Sequence, residues 1–236
     1  PVRIRSACRN VHISAFVSQP LRAGYAVPLY AISNGAAARS WPGSYWMQQR
    51  EFLAARAIHR NACTSVPAAL GTLPQRRIRM SSDIKRITYL SERTAEITNL
   101  SEFPQYLTML FEIDAQVLND DRHLNNIAVI EQDGRYDYCP FFDQGAGLLS
   151  NTQFSPMDIT PEALIRDLRA RPFGTSFNRQ MHTAQTLYGR QLQIQRFRRE
   201  ELMEMLRPLL EYYAPRDRGL IADRVCAAVL LRQKEL

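Results

Sequence analysis

Between Phe103 and Leu118 the apolar residues keep helical spacing: Phe103, Tyr106, Leu107, Leu110, Phe111, Val117 and Leu118. A helix is predicted there, with capping-box spacing from Asn99 to Glu102 and Pro104 in its first turn. The period then changes. Ile127-Ala128-Val129-Ile130 is a short, mostly β-branched run. Asp133-Gly134 follows, a pair that tolerates positive φ and so favours a tight hairpin. Tyr136, Tyr138 and Phe142 continue a second strand, which Pro140 limits to an edge or a short ladder.

Beyond residue 143 the pattern is mostly helical. Thr160 and Pro161 have the cap and first-position identities of a helix running to about Arg169. Leu202, Met205, Leu206, Leu209, Leu210 and Tyr213 form one face of a helix over about 199–213, bent at Pro208. A last helix over about 217–233 carries Ile221, Val225, Ala228, Val229 and Arg232 on one face. Upstream the pattern is weaker. Val11 to Val17 and Tyr25 to Ile32 suit short strands. Residues 45–60 suit a helix with Trp46, Phe52, Leu53 and Ile58 as apolar positions. Arg77 to Met80 and Arg86 to Tyr89 suit further strands. The class is α+β: a thin N-terminal β-containing lobe over 1–95, degraded or incomplete in its first 44 residues, and a mostly helical lobe over 96–236 that holds the hairpin.

The chemistry sits at the two ends of that hairpin. Asp121 is followed by Asn126 at the start of the first strand, and Asp143-Gln144-Gly145 closes the second. A hairpin brings its ends together, so the amide of Asn126 and the carboxylate of Asp143 are placed to share a hard cation such as magnesium. Kinases divide phosphoryl transfer among such a trio: one carboxylate accepts the hydroxyl proton, while an amide oxygen and a second carboxylate hold magnesium on the nucleotide. Asp, Asn and Gly are also ordinary turn formers, and Asn119-Asp120-Asp121 alone reads equally as a helix exit. Asp114 breaks the apolar face of the preceding helix. It either orients the loop or is a solvated or capping carboxylate.

Composition adds bounds. The net charge is +7, from 28 arginines and 2 lysines against 23 acidic residues. That balance suits a triphosphate. It allows weak or indirect contact with nucleic acid, but no arginine-rich helix with interleaved aromatics marks a nucleic-acid motif. Cys8, Cys63, Cys139 and Cys226 have no metal-ligand spacing and read as buried free thiols of a reducing compartment. No apolar run approaches the ~18 residues of a membrane helix, and no signal-peptide core is present. A cytoplasmic protein without membrane contact is expected. The start at Pro1 suggests a processed product or a fragment.

The order Asp-Arg-His-x-x-Asn then Asp-x-Gly resembles the catalytic and metal loops of the phosphoinositide 3-kinase-like branch of the kinase superfamily. The longer run 118–127 and 139–145 is similar to bacterial HipA-like kinases, and 170–177 to the small HipA-like C-terminal-domain proteins. The resemblance spans about residues 85–215. It implies a protein-kinase-like fold and phosphorylation by ATP and magnesium, most often of protein serine or threonine. Asp121 would be the catalytic base, Asn126 and Asp143 the magnesium ligands, and His123 a brace of the catalytic loop. A nucleotide, a protein substrate and an antitoxin-like partner are the implied associates. The front of the chain departs from the pattern. No lysine precedes Lys85, and Gly24, Gly35 and Gly43 are isolated. Glu51 is either the helix glutamate that pairs the phosphate-binding lysine of such kinases, or a solvated helix carboxylate. Two further functional readings therefore stand beside the active kinase: a pseudokinase acting as a binding or toxin–antitoxin-type regulatory module, and a nucleic-acid-associated subunit.

Overall fold

The computed structural model describes residues 63–66, 82–139, 141–193 and 196–236. The expected strands over 11–17, 25–32 and 77–80, and the helix over 45–60 with Glu51, lie outside the described residues. Within them the chain is α+β and mostly helical, with a small antiparallel sheet. The elements are β1 (Cys63–Ser65), α1 (Asp83–Thr98), α2 (Phe103–Val117), β2 (Ala128–Gln132), β3 (Arg135–Tyr138), α3 (Pro161–Asp167), α4 (Phe177–Tyr188), α5 (Arg199–Leu210) and α6 (Pro215–Glu235). A single 3₁₀ turn, Leu124–Asn126, precedes β2.

The strand expected over Arg86 to Tyr89 is instead part of α1. The reason lies in its hydroxyls. Ile87, Leu90, Ser91, Thr94 and Thr98 are buried at helical spacing. Ser91 donates to the Ile87 carbonyl (2.7 Å), Thr94 to Leu90 (2.6 Å) and Thr98 to Thr94 (2.6 Å). Each hydroxyl is satisfied one turn back, so a face that looks polar in sequence packs like an apolar one. Asn99 then ends α1 in the left-handed conformation, with φ 57°. It does not cap α2. The N-cap of α2 is Glu102, without a side-chain cap, and Pro104 occupies the first turn as expected. Helix α1 also runs through the expected lobe boundary at 95/96.

Helix α2 is the centre of the fold. Nearly all of its residues are buried, because it packs on α1, α4 and α6 at once. One apolar core lies around its N-terminal half, with Val66, Ile87, Leu90, Phe103, Leu107, Leu110, Ile127 and Val129. The other lies around its C-terminal end, with Leu118, Leu148, Met181, Leu202, Leu206, Ile221 and Val225. Buried Arg232, on the face expected for α6, donates from Nε to the Ala115 carbonyl (2.8 Å) and from Nη2 to Asn178 (2.7 Å). It ties α6 to α2 and α4.

The hairpin forms as expected. Asp133 and Gly134 both have positive φ, 52° and 72°, and Gln132 pairs with Arg135. That is the two-residue turn whose twist matches the strands. Strand β3 stops at Tyr138, and β1, which the sequence pattern does not reveal, pairs along the other edge of β2. Tyr106 anchors the strand exit to α2. Its hydroxyl donates to the Cys139 carbonyl (2.8 Å), and its ring lies 4.9 Å from that of Phe141.

Helix α3 has the expected cap, with the Thr160 hydroxyl accepting from the Ala163 N–H (3.4 Å), and ends at Asp167. Helix α4 is not anticipated by the sequence pattern. Helix α5 ends two residues after Pro208. Leu206, Val225 and Val229 are buried, and Leu210 is half-buried. Cys139 and Cys226 are free and buried. No helix among the described residues is long and apolar enough to cross a membrane.

Candidate active site

The chain leaves α2 through Leu118, a non-glycine residue in the left-handed region (φ 57°). Asn119 closes the turn, its N–H donating to the Asp114 carbonyl at 3.0 Å. Such a conformation costs a branched residue about 1–2 kcal/mol. Burial of the Leu118 side chain in the C-terminal core offsets it. The reversal aims residues 119–126 back across the end of α2.

A buried ion pair fixes that loop. Asp114 and Arg122 have side chains 1% and 0% exposed. They meet through two contacts, Nε to Oδ2 at 2.8 Å and Nη2 to Oδ1 at 3.1 Å. Arg122 Nη1 donates to the carbonyls of Asn126 and Phe142, each at 2.8 Å. Asn119 Nδ2 donates to Asp114 Oδ1 (2.9 Å) and to the Asp143 carbonyl (3.1 Å). One helix, the Asp121 loop and the Asp143 loop are therefore joined at a single node. Burial works against the arginine charge, but the Asp114 carboxylate outweighs it and holds the Arg122 pKa above its ordinary value. Of the two readings of Asp114, the loop-orienting one is correct.

The node brings the side chains of Asn126 and Asp143 together, beside the backbone of Asp121. Asn126 Nδ2 donates to Asp143 Oδ2 at 2.5 Å and to the Asp121 carbonyl at 3.2 Å. The two hairpin ends thus converge, with Asn126 between the aspartates. Asp143 is exposed and has φ 57°, a turn conformation that aspartate tolerates better than most residues. The Asn126 oxygen and the Asp143 carboxylate are hard oxygen donors on neighbouring side chains. Magnesium is held by one or two carboxylates together with phosphates and waters, and this pair fits it once the Asn126 amide, which presents its nitrogen to Asp143 here, is turned over. Among the described residues no group of three or more His, Cys, Asp or Glu side chains converges.

Asp121 points to the surface. Its carboxylate Oδ1 accepts from Arg171 Nη1 at 3.1 Å, and both side chains are about half exposed. Beside it, burial together with the Asp121 charge raises the Asp120 carboxyl pKa, and Arg171 offsets part of that rise. His123 is the residue expected to brace the loop. Its backbone N–H donates to the Asp121 carbonyl (2.8 Å), but its ring Nδ1 is buried without a hydrogen-bond partner among the described residues. Arg122, its neighbour, carries that role because a guanidinium bonds a carboxylate and two carbonyls at once. Gln144 is 1% exposed, and both its amide atoms lack partners among the described residues. The structure offers no physical account of this.

Arg122, Asn119 and Arg171 carry structural weight that the sequence reading did not assign. The signal for Arg122 was present: a carboxylate on an apolar helix face requires an internal partner, and Arg122 lies two turns away. Nothing local marks Arg171. Comparison with family models, with curated proteins and with solved structures finds no match to this chain, so the reading of the site rests on its own residues.

Proposed function

We propose that this chain is a magnesium- and ATP-dependent phosphotransferase with a protein-kinase-like active site. The observation that carries the reading is the direct contact of Asn126 with Asp143, next to Asp121, on a loop held by the Asp114–Arg122 pair. Turn-forming residues at a helix exit do not need a buried ion pair to aim them.

Asn126 and Asp143 would hold magnesium, which supplies positive charge against the nucleotide phosphates. Asp121 orients an acceptor hydroxyl and receives its proton. The hydroxyl oxygen forms a bond to the γ-phosphorus. The bond between that phosphorus and the bridging oxygen breaks, and its electron pair leaves with the diphosphate. Positioning and fixed charge contribute most of the rate. The buried node holds donors and carboxylates in place before substrate arrives. A serine or threonine hydroxyl of a protein is the acceptor class that the resemblance to HipA-like kinases suggests.

A second reading is favoured by residues 1–84, among which there is no lysine. A chain that keeps the two loops but lacks a phosphate-binding lysine would serve as a pseudokinase, a binding module of regulatory, toxin–antitoxin type. One sample separates the two. Nucleotide binding is titrated with and without magnesium, and phosphoryl transfer is then followed with labelled ATP. Binding with turnover supports the enzyme, and binding without turnover supports the pseudokinase. Absence of magnesium-dependent binding contradicts both.

A further inference from the structure

Arg171 stands on a loop whose backbone is locked while its side chain is left free. Ala170, buried, donates its N–H to the Thr175 carbonyl at 2.7 Å, and Gly174 donates back to the Ala170 carbonyl at 2.8 Å. Gly174 closes the turn with φ 71°, where a side chain would be strained. Gln180, 2% exposed on α4, donates from Nε2 to the Arg171 carbonyl itself at 2.9 Å. The main chain at 171 is thus fixed from two directions. The guanidinium is 57% exposed and has one protein contact among the described residues, the 3.1 Å bond to Asp121. The Asp120 carboxylate also lies within reach of its charge.

The position matters because of charge. Asp120 and Asp121 are neighbours beside Arg171, Asp143 is held by Asn126 of the same loop, and a triphosphate brought to these carboxylates meets like charge. Magnesium answers part of that. Of the two arginines at this cluster, Arg122 is spent: its guanidinium is buried on Asp114, Asn126 and Phe142. Arg171 retains unused donors at the side of Asp121, where the acceptor hydroxyl and the transferred group must meet. A guanidinium is planar and multidentate, so it can keep Asp121 and still donate to phosphoryl oxygens.

We propose that Arg171 is a catalytic residue that grips the γ-phosphoryl group of a nucleoside triphosphate from the Asp121 side, and so sets a preference for triphosphate over diphosphate. This rests on the phosphotransferase reading above. Arg171 exchanges no proton and forms no covalent bond. It donates to the non-bridging oxygens as charge develops on them, the role that an arginine supplied in cis plays in other phosphoryl transfers. The competing role is a mask, in which Arg171 covers Asp121 until substrate displaces it.

The test is calorimetric titration in magnesium of ADP and of a non-hydrolysable ATP analogue, on the parent chain, Arg171→Ala and Arg171→Lys. Circular dichroism melts confirm that each variant is folded. The parent is expected to favour the triphosphate. Arg171→Ala should lose roughly 10–100-fold of triphosphate affinity, the worth of a charge-assisted contact, with ADP affinity unchanged. Arg171→Lys should recover part of it. An Arg171→Ala variant that keeps the parent's triphosphate-to-diphosphate ratio overturns the proposal while leaving the phosphotransferase reading intact. So does a variant that transfers phosphate faster than the parent, since that is the behaviour of a removed mask. A parent that binds neither nucleotide in magnesium removes the underlying reading, and this proposal with it.

Discussion

Asp114–Arg122 and Asp121–Arg171 are both aspartate–arginine pairs, and they flank the same loop. The first joins residues eight apart in sequence and is almost fully buried; the second joins residues fifty apart and is half exposed. The buried pair has its carboxylate bound by both Arg122 and Asn119, and its guanidinium is extended to two carbonyls. The exposed pair shares a single hydrogen bond and leaves donors over. In water such a contact is worth about 0–1 kcal/mol and is readily exchanged for another anion. In the interior the same chemistry is rigid, because breaking it leaves an uncompensated charge. The difference separates framework from chemistry: one pair sets where the loop lies, and the other is free to meet a substrate.

The sharpest way to break this contrast is to remove Arg122. Arg122→Ala strands Asp114 inside the protein and should destabilise by about 3–5 kcal/mol, measured by urea unfolding. A loss below 1 kcal/mol would mean that the node is not a framework. Leu206→Ala, in the core beside the C-terminal end of α2, gives the scale for ordinary packing and should cost about 2–5 kcal/mol. Arg171→Ala should change stability by no more than about 1 kcal/mol.

The smallest effect is a pH dependence at another buried carboxylate. Glu112 on α2 accepts from Gln185 Nε2 (2.7 Å), the Gln191 N–H (3.1 Å) and the Leu192 N–H (2.8 Å). Burial nonetheless raises its pKa, with those bonds pulling the other way. A carboxyl whose folded pKa is raised binds its proton more tightly when folded. Its contribution is therefore full below the ordinary carboxylate pKa and is lost as pH rises through the folded value. Relative to Glu112→Gln, the parent should lose stability as pH is raised from the ordinary carboxylate pKa through that value. A difference that stays flat as pH is raised from the ordinary carboxylate pKa to neutrality and beyond would contradict the assignment.

The sequence makes the hairpin and the paired loops readable because both rest on local rules. Asp133-Gly134 fixes the turn, the turn fixes the register, and the register brings the two hairpin ends near each other, where the buried node joins Asn126 to Asp143. The Thr160 cap and the apolar faces of α5 and α6 are local in the same sense. What escapes is whatever depends on the partners that a side chain or strand finds once the chain is folded. The hydroxyl face of α1 is apolar only once Ser91, Thr94 and Thr98 have bonded back to their own helix. Asn99 has the composition of a start signal but serves as a stop, since α1 lies before it. Strand β1 is three residues long and exists because β2 offers an edge. Arg122 lies within the Asp121–Asn126 motif, beside His123. A buried arginine is identified by its acceptors, and two of those are backbone carbonyls that no pattern displays.

The most direct test of the central claim compares magnesium-dependent nucleotide affinity in the parent, Asp143→Asn and Asp121→Asn. The two aspartates are assigned different work. Asp143→Asn removes a charged ligand from a hard cation and should weaken binding in magnesium, with little change in its absence. Asp121→Asn should leave that affinity near the parent's while lowering phosphoryl transfer by about 10²–10⁴-fold. Equal magnesium-dependent affinity in the parent and Asp143→Asn would contradict the account, because the meeting of Asn126 and Asp143 would then be a turn and not a cation site.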